Sequence, residues 1–264
     1  MISVPVALTV AGSDPSGGAG IQADLKTFHQ FRVYGEAVIT LITVQNTRTV
    51  SRVELLSPEL IREQIEAVLT DIPPGAVKTG ALGTAGIIEA VAAALRGARL
   101  VVDPVMISKH GAALIAAEAA EALRVTLFPQ AYLVTPNLHE AAALTGLVVE
   151  TEEQMVVAGR RLLELGPGAV LVKGGHLAGR ASDVLVTDTG VDWFHSERTD
   201  TPHTHGTGCT YSAAITALLA RGVELKEAVG QAKGFITAAI VSNPGLGHGN
   251  GPVNHFADYP DGAG

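Results

Sequence analysis

Cys209 is the only cysteine in the chain, so no intramolecular disulfide can form, and a reducing compartment is the simpler expectation. No stretch approaches the ~20 consecutive apolar residues that a membrane-spanning helix requires. Basic residues are also scarce: 18 Lys and Arg stand against 26 Asp and Glu, a net charge of −8, with no Lys/Arg stripe to hold a nucleic-acid backbone. Aromatic residues make up 4% of the chain, so Ala, Val and Leu must fill the core; 47% apolar and 17% charged residues describe a chain that folds. The opening run to Ala11 has no basic n-region and passes directly into Gly12-Ser13-Asp14-Pro15, so it reads as a buried strand rather than a signal peptide. A cytoplasmic enzyme with neither nucleic-acid nor membrane partners is expected.

Short apolar runs at 4–11, 37–44, 76–78, 100–103, 132–135 and 169–173 alternate with stretches of helical spacing. The helical stretches are 21–31, 59–69, 86–95, 117–127, 137–144 and 151–165, several of them starting at plausible caps. This alternation predicts an α/β fold, a mostly parallel central sheet with helices on both faces. Two further runs, 183–187 and 191–195, flank Asp188-Thr189-Gly190 and predict an edge hairpin, followed by helices over 210–220 and 226–242. No repeat or linker composition interrupts the chain, so residues 1–264 read as a single domain. The polar motifs all fall just after strands, where open α/β sheets bind their ligands.

The segment His205-Gly206-Thr207-Gly208-Cys209-Thr210 leads straight into an apolar helical run, so the free N–H groups of a first helical turn would face an anion there. A helix N-terminus favours thiolate over thiol, and Cys209 reads as reactive; a nucleophilic hydrolase and a plain buried cysteine are the competing readings. The glycine loop at 12–20 fits neither Gly-x-Gly-x-x-Gly nor a Walker A loop. One turn beyond it, Asp24 faces either the pocket or solvent. Gln45 ends an apolar run, where its carboxamide could pair with an amino group beside a ring nitrogen, although Gln45-Asn46-Thr47 also suits a polar turn.

Asp103, heading Asp103-Pro104-Val105-Met106, offers a carboxylate for Mg2+ or serves as a cap. Asn137 and Glu140 share one helical face and could reach a metal or its waters; a capping box has the same spacing but ordinarily starts with Ser or Thr. Lys173, in Lys173-Gly174-Gly175-His176, suits a phosphate as well as a solvated surface. The nine histidines form no spaced set with Cys209, which leaves His203 and His205 without a zinc reading.

In order along the chain, Ala11-Gly12-Ser13-Asp14, Gly17-Gly18-Ala19-Gly20-Ile21-Gln22-Ala23-Asp24, Gln45-Asn46-Thr47, Asp103-Pro104-Val105-Met106, Thr135-Pro136-Asn137, Lys173-Gly174-Gly175-His176 and Gly206-Thr207-Gly208-Cys209 resemble the hydroxymethylpyrimidine and phosphomethylpyrimidine kinases of thiamine biosynthesis. The tail from Gly247 to Phe256 extends the likeness to nearly the whole chain. The resemblance implies a ribokinase-like fold, ATP and Mg2+ as cofactors, a homodimer, and phosphorylation of 4-amino-5-hydroxymethyl-2-methylpyrimidine and then of its monophosphate. It assigns Gln45, Gly12, Asp24 and Val105 to the pyrimidine pocket. Lys173, Asn137 and Thr207 go to ATP, Glu140 and Asp103 to the metal, and Gly206, Thr207, Gly208 and Cys209 to the transferring phosphoryl group.

Cys209 stands where the wider ribokinase family has an aspartate base, and it would accept the hydroxyl proton in the first phosphorylation; the second, on an anionic phosphate, needs little base help. One position departs from the pattern. Ala81 replaces the methionine that the family usually packs near the pyrimidine, which leaves room for a larger ring. Pyridoxal or pyridoxine kinase is therefore the alternative enzyme, and a non-catalytic nucleotide-binding module the alternative of another class.

Overall fold

Six consecutive buried residues in β1 (Val6–Ser13) give the pattern of a strand covered on both faces. After it come α1 (Gly20–Gln30), β2 (Tyr34–Gln45), β3 (Val50–Leu55), α2 (Pro58–Asp71), β4 (Ala76–Thr79), α3 (Ala85–Ala94) and β5 (Leu100–Val102). The chain continues with α4 (Ala117–Ala122), β6 (Leu133–Val134), α5 (Leu138–Thr145), α6 (Glu152–Leu163), β7 (Val170–Gly174), β8 (Ala181–Val186), β9 (Val191–Ser196), α7 (Thr207–Ala220) and α8 (Leu225–Val241). The structure is a computed structural model that describes residues 4–106, 117–175, 177 and 179–258, so His176 of the lysine motif lies outside the described residues.

Among the described residues nine strands join one sheet in the order β3-β2-β1-β4-β5-β6-β7-β8-β9. The run from β2 to β7 is parallel, and β8 and β9 form the expected antiparallel hairpin at one edge. The opposite edge carries β3, antiparallel to β2 and absent from the expected elements. β1 lies between β2 and β4, so the winding of the sheet reverses beside it, and the crevice beyond the carboxyl ends of those strands is the natural ligand site of such a sheet.

Alternate strand residues serve opposite faces. Leu8, Val77, Leu100 and Val102 pack with Ile61 and Ile65 of α2, Ile88 of α3 and Leu162 of α6. Ala7, Ala76, Val101 and Leu133 pack with Phe28 of α1, Ile215 and Leu218 of α7 and Phe235 of α8. The small strand residues on the second face let α7 lie close to the sheet, and ten of its residues are buried. Among the described residues no helix is long and apolar enough to cross a membrane.

Candidate active site

A cavity of about 720 Å³ opens beyond the carboxyl ends of the parallel strands. Gly12, Gln45, Ala81, Asp103, Val105, Asn137, Glu140, Lys173, Gly206, Thr207, Gly208 and Cys209 all line it, which brings together every expected site residue except Asp24.

The expected start of α7 at Thr210 is too late. Gly206 is the N-cap, with φ of 78°, and Thr207, Gly208 and Cys209 form the first turn, whose N–H groups a helix leaves without internal partners. A Cβ at Gly206 would collide with the Gly18 carbonyl, so glycine is needed both for the left-handed turn and for the close approach. The geometry makes a cationic, donor-rich wall, because Lys173 Nζ would lie 3.4 Å from a Cβ placed on Gly208.

Lys173 Nζ pairs with Asp103 Oδ1 at 2.8 Å. Asp103 Oδ1 also accepts from the Thr135 hydroxyl at 3.2 Å, and Oδ2 from the Ser212 hydroxyl at 3.1 Å. Burial works against the Asp103 carboxylate, but Lys173 and Lys78 outweigh it and hold the carboxyl below its ordinary range. Burial likewise opposes the charge on Lys173, and Asp103 and Glu140 more than restore it. Asp103 therefore orients the lysine while its second oxygen accepts from Ser212.

Asn137 and Glu140 do form a capping box: Asn137 Oδ1 accepts from the Glu140 N–H at 2.9 Å and Glu140 Oε2 from the Asn137 N–H at 2.8 Å. Asn replaces the usual Ser or Thr because its side-chain oxygen accepts equally well at that position. Burial pushes the Glu140 carboxyl up to about 7 against the pull of Lys173, with Asp103 adding to the rise.

Cys209 is half-buried, and the Gly20 N–H at the start of α1 donates to its sulfur. Here the thiolate expectation fails. Burial pushes the thiol up to about 11, and Lys78 recovers only part of that. Asp24 is also displaced from its expected role: its side chain is fully buried below the cavity, bonded to Lys78 Nζ at 3.0 Å and to the Thr9 hydroxyl at 2.6 Å. A charged partner in the neighbouring strand draws it inward, away from both pocket and solvent.

The sequence model of the phosphomethylpyrimidine kinase family matches residues 14–254, a span that contains every cavity group just described except Gly12. The chain belongs to the phosphomethylpyrimidine kinase family. The hydroxymethylpyrimidine/phosphomethylpyrimidine kinase of Staphylococcus aureus strain MSSA476 is 47% identical over 263 residues, covering 97% of this chain and 95% of that one. Among solved structures, the ADP complex of Bacillus subtilis pyridoxal kinase superposes with a TM-score of 0.89 at 42% identity, covering 97% and 98% of the two chains. The phosphomethylpyrimidine kinase of Clostridium difficile 630 gives 0.80 at 48% identity, covering 90% and 100%. The ribokinase-like fold and the kinase assignment follow.

Several cavity groups of this family member escaped the sequence reading. His205 Nε2 lies 2.8 Å from Asp14 Oδ2 and 3.1 Å from the Gln45 amide nitrogen, so Gln45 meets the cavity as part of a cluster. Asp14 also accepts from the Ser16 and Ala19 N–H groups; burial acts against its charge, but His205 and Ser16 hold its carboxyl below the ordinary range. Toward the hairpin edge, Lys233 Nζ pairs with Asp183 Oδ2 at 2.7 Å beside Ala181, and all three residues line the cavity. The histidine motif signal was available in His205, but its partners are distant in sequence.

Proposed function

We propose that this kinase transfers the γ-phosphoryl group of ATP to the hydroxymethyl oxygen of 4-amino-5-hydroxymethyl-2-methylpyrimidine, and then transfers a second to the monophosphate so formed. One observation carries the reading: a single cavity holds the Gln45 carboxamide, suited to an aminopyrimidine edge, together with the α7 N-terminus and Lys173, suited to phosphate. Relatives named for both phosphorylations support it.

In the first step the hydroxyl oxygen forms a bond to the γ-phosphorus, the bond to the β-phosphate bridging oxygen breaks, and ADP leaves. The Thr207, Gly208 and Cys209 N–H groups and Lys173 stabilise charge on the moving phosphoryl group. The hydroxyl proton passes to the Cys209 sulfur in its thiolate form, a minor form in a site that holds the thiol up to about 11. In the second step a phosphate oxygen of the acceptor attacks, and no comparable proton has to be removed. Asn137 spends its side-chain oxygen on the cap, so in this reading it orders the backbone beside the ATP phosphates.

The donor set also suits Mg2+. This ion keeps several waters and phosphate oxygens and needs only one or two carboxylates. Glu140 and Asp103, the buried carboxylates that line this wall of the cavity, would hold it. Bound there, Mg2+ would neutralise charge on the ATP phosphates. The continuous sheet supports one kinase domain over the chain; the lone cysteine supports a cytoplasmic setting, and a homodimer completes the proposal.

Pyridoxal kinase is the second reading. Ala81 lines the cavity, where a methionine would fill it, and the Bacillus subtilis pyridoxal kinase superposes over nearly the whole chain. Coupled ADP-release assays with the pyrimidine, its phosphate and pyridoxal test both. Turnover of both pyrimidines in preference to pyridoxal is expected; turnover of pyridoxal alone would replace the proposal with the second reading, and ATP binding without any turnover would leave a nucleotide-binding module.

A further inference from the structure

The tail that carried part of the family likeness, from Gly247 onward, has no role in the chemistry described so far. It crosses from the β2–β3 turn to the entry of α7. At the turn, Thr47 accepts twice from it: the hydroxyl from the His248 N–H at 3.2 Å and the carbonyl from the Asn250 N–H at 2.8 Å. At the other end the His205 N–H donates to the Gly251 carbonyl at 3.0 Å, and the Val253 N–H donates to the His205 carbonyl at 3.4 Å.

These bonds close a circuit around Gln45. Its backbone is two residues from Thr47, in a turn stiffened by Asn46, whose side-chain oxygen accepts from the Arg48 and Thr49 N–H groups. Its amide lies against the His205 ring, and the ring is fixed by Asp14. The tail thus grips both things that aim the carboxamide, the turn and the ring. Its fit is close as well: a Cβ on Gly249 would run into the Thr47 carbonyl and lie 3.1 Å from the Arg48 Cα, both backbone atoms that cannot swing aside.

We infer that the segment 247–253 is a strap that positions Gln45 for recognition of the substrate ring, with Thr47 as the positioning residue it holds. The inference rests on the proposed role of Gln45 in reading that ring. A carboxamide discriminates by presenting its oxygen and its NH2 at fixed places, so a turn displaced by about 1 Å weakens ring binding while leaving the α7 N-terminus and Lys173 in place.

The test is a double-mutant cycle on the full-length protein, with Gly249→Ala, Gln45→Ala and the two combined, assayed for KM of hydroxymethylpyrimidine, KM of ATP and kcat. Gly249→Ala is expected to raise the ring KM about tenfold with the ATP KM unchanged, and to add nothing further in the Gln45→Ala background. A normal ring KM in Gly249→Ala, beside a raised one in Gln45→Ala, overturns the strap and leaves the role of Gln45 intact. Additive effects overturn it too, since the strap would then act elsewhere. An unchanged ring KM in Gln45→Ala defeats the reading of Gln45 itself and the strap with it. Should Gly249→Ala fail to fold, Thr47→Val carries the same cycle, with Thr47→Ser expected to restore the ring KM and its failure to do so counting against the strap.

Discussion

Lys78 Nζ lies 3.0 Å from Asp24 Oδ2, and neither side chain has any exposed surface. The pair joins β4 to α1 directly below the cavity, and a Cβ on the lining residue Gly80 would sit 3.3 Å from the ammonium. Burial disfavours the charge on Lys78, but Asp24 beside it, together with Asp103, holds it firmly protonated. Among the described residues Asp24 Oδ1 has no hydrogen-bond partner, so the carboxylate depends heavily on this one lysine. Lys78→Met is expected to destabilise the fold by about 3–5 kcal/mol, because it strands a buried charge, whereas Lys78→Met with Asp24→Leu recovers most of the loss. Urea unfolding of the two variants decides the matter. A single variant as stable as the parent would show that water reaches Asp24.

The lone cysteine allows a clean reading of its own protonation. With burial pushing the thiol up to about 11, alkylation of Cys209 by iodoacetamide should be slow at neutral pH and keep accelerating with pH well past 9, where an ordinary thiol levels off. Reactivity that is already maximal near pH 7 would restore the thiolate. The same ionisation separates the two chemical steps. The first phosphorylation is expected to speed up as pH rises, because the thiolate fraction grows toward the raised value, and Cys209→Ala is expected to slow it on the order of 10²-fold and flatten that rise. The second phosphorylation should lose far less. Equal losses in both steps would make Cys209 a packing residue of the anion site.

His255 gives a pH dependence of stability at a position outside the chemistry. It is buried, with Nε2 3.1 Å from the Thr210 hydroxyl, and burial, with smaller contributions from Lys26 and His205, lowers its ring to about 4. The unfolded chain takes up the proton near pH 6.5 and the folded one does not, so this stability is complete above pH 6.5 and is lost as pH falls toward 4. The loss should reach about 2 kcal/mol at pH 5, from 1.36 kcal/mol per unit over the interval below 6.5. His255→Gln is expected to flatten that acid arm in urea titrations at pH 7 and 5. An unchanged acid arm would mean the ring is solvated or protonated in the fold.

What the sequence disclosed depended on how local each cause was. The parallel strands were legible because covered strands are apolar throughout, as Leu100-Val101-Val102 is, and the polar groups that follow them necessarily collect at one end of the sheet. β3 was not legible, because an edge strand with Arg52 and Glu54 facing solvent needs no apolar run. The start of α7 was misplaced because Gly206 and Gly208 look like loop, while the close approach that makes glycine necessary at the left-handed cap comes from Gly18 in the distant β1–α1 loop. Asp24 was misassigned for a similar reason: Lys78, which buries it, is 54 residues away, and His205 is 160 residues from Gln45. The capping box of Asn137 and Glu140 was discounted because the cap residue is Asn, a chemical equivalent of Ser that the simple motif omits.

Ala81 bears most directly on which ring the site prefers. It is half-buried on the cavity wall, and its carbonyl accepts from the buried Thr40 hydroxyl at 2.6 Å, so the backbone there is anchored and a longer side chain must extend from a fixed point. A methionine at this position would remove volume beside the proposed ring without touching the Lys173 end, and its flexible thioether would fill the space against a small pyrimidine. Ala81→Met is therefore expected to lower the pyrimidine KM severalfold and to depress kcat/KM for pyridoxal by about 10-fold or more, since one or two methylene-sized clashes shift such ratios by about 1–3 kcal/mol. Parallel assays of the parent and Ala81→Met with both rings measure the ratio. If pyridoxal and pyrimidine respond alike, residue 81 lines a part of the cavity that the ring does not occupy, and the wider pocket has no bearing on specificity.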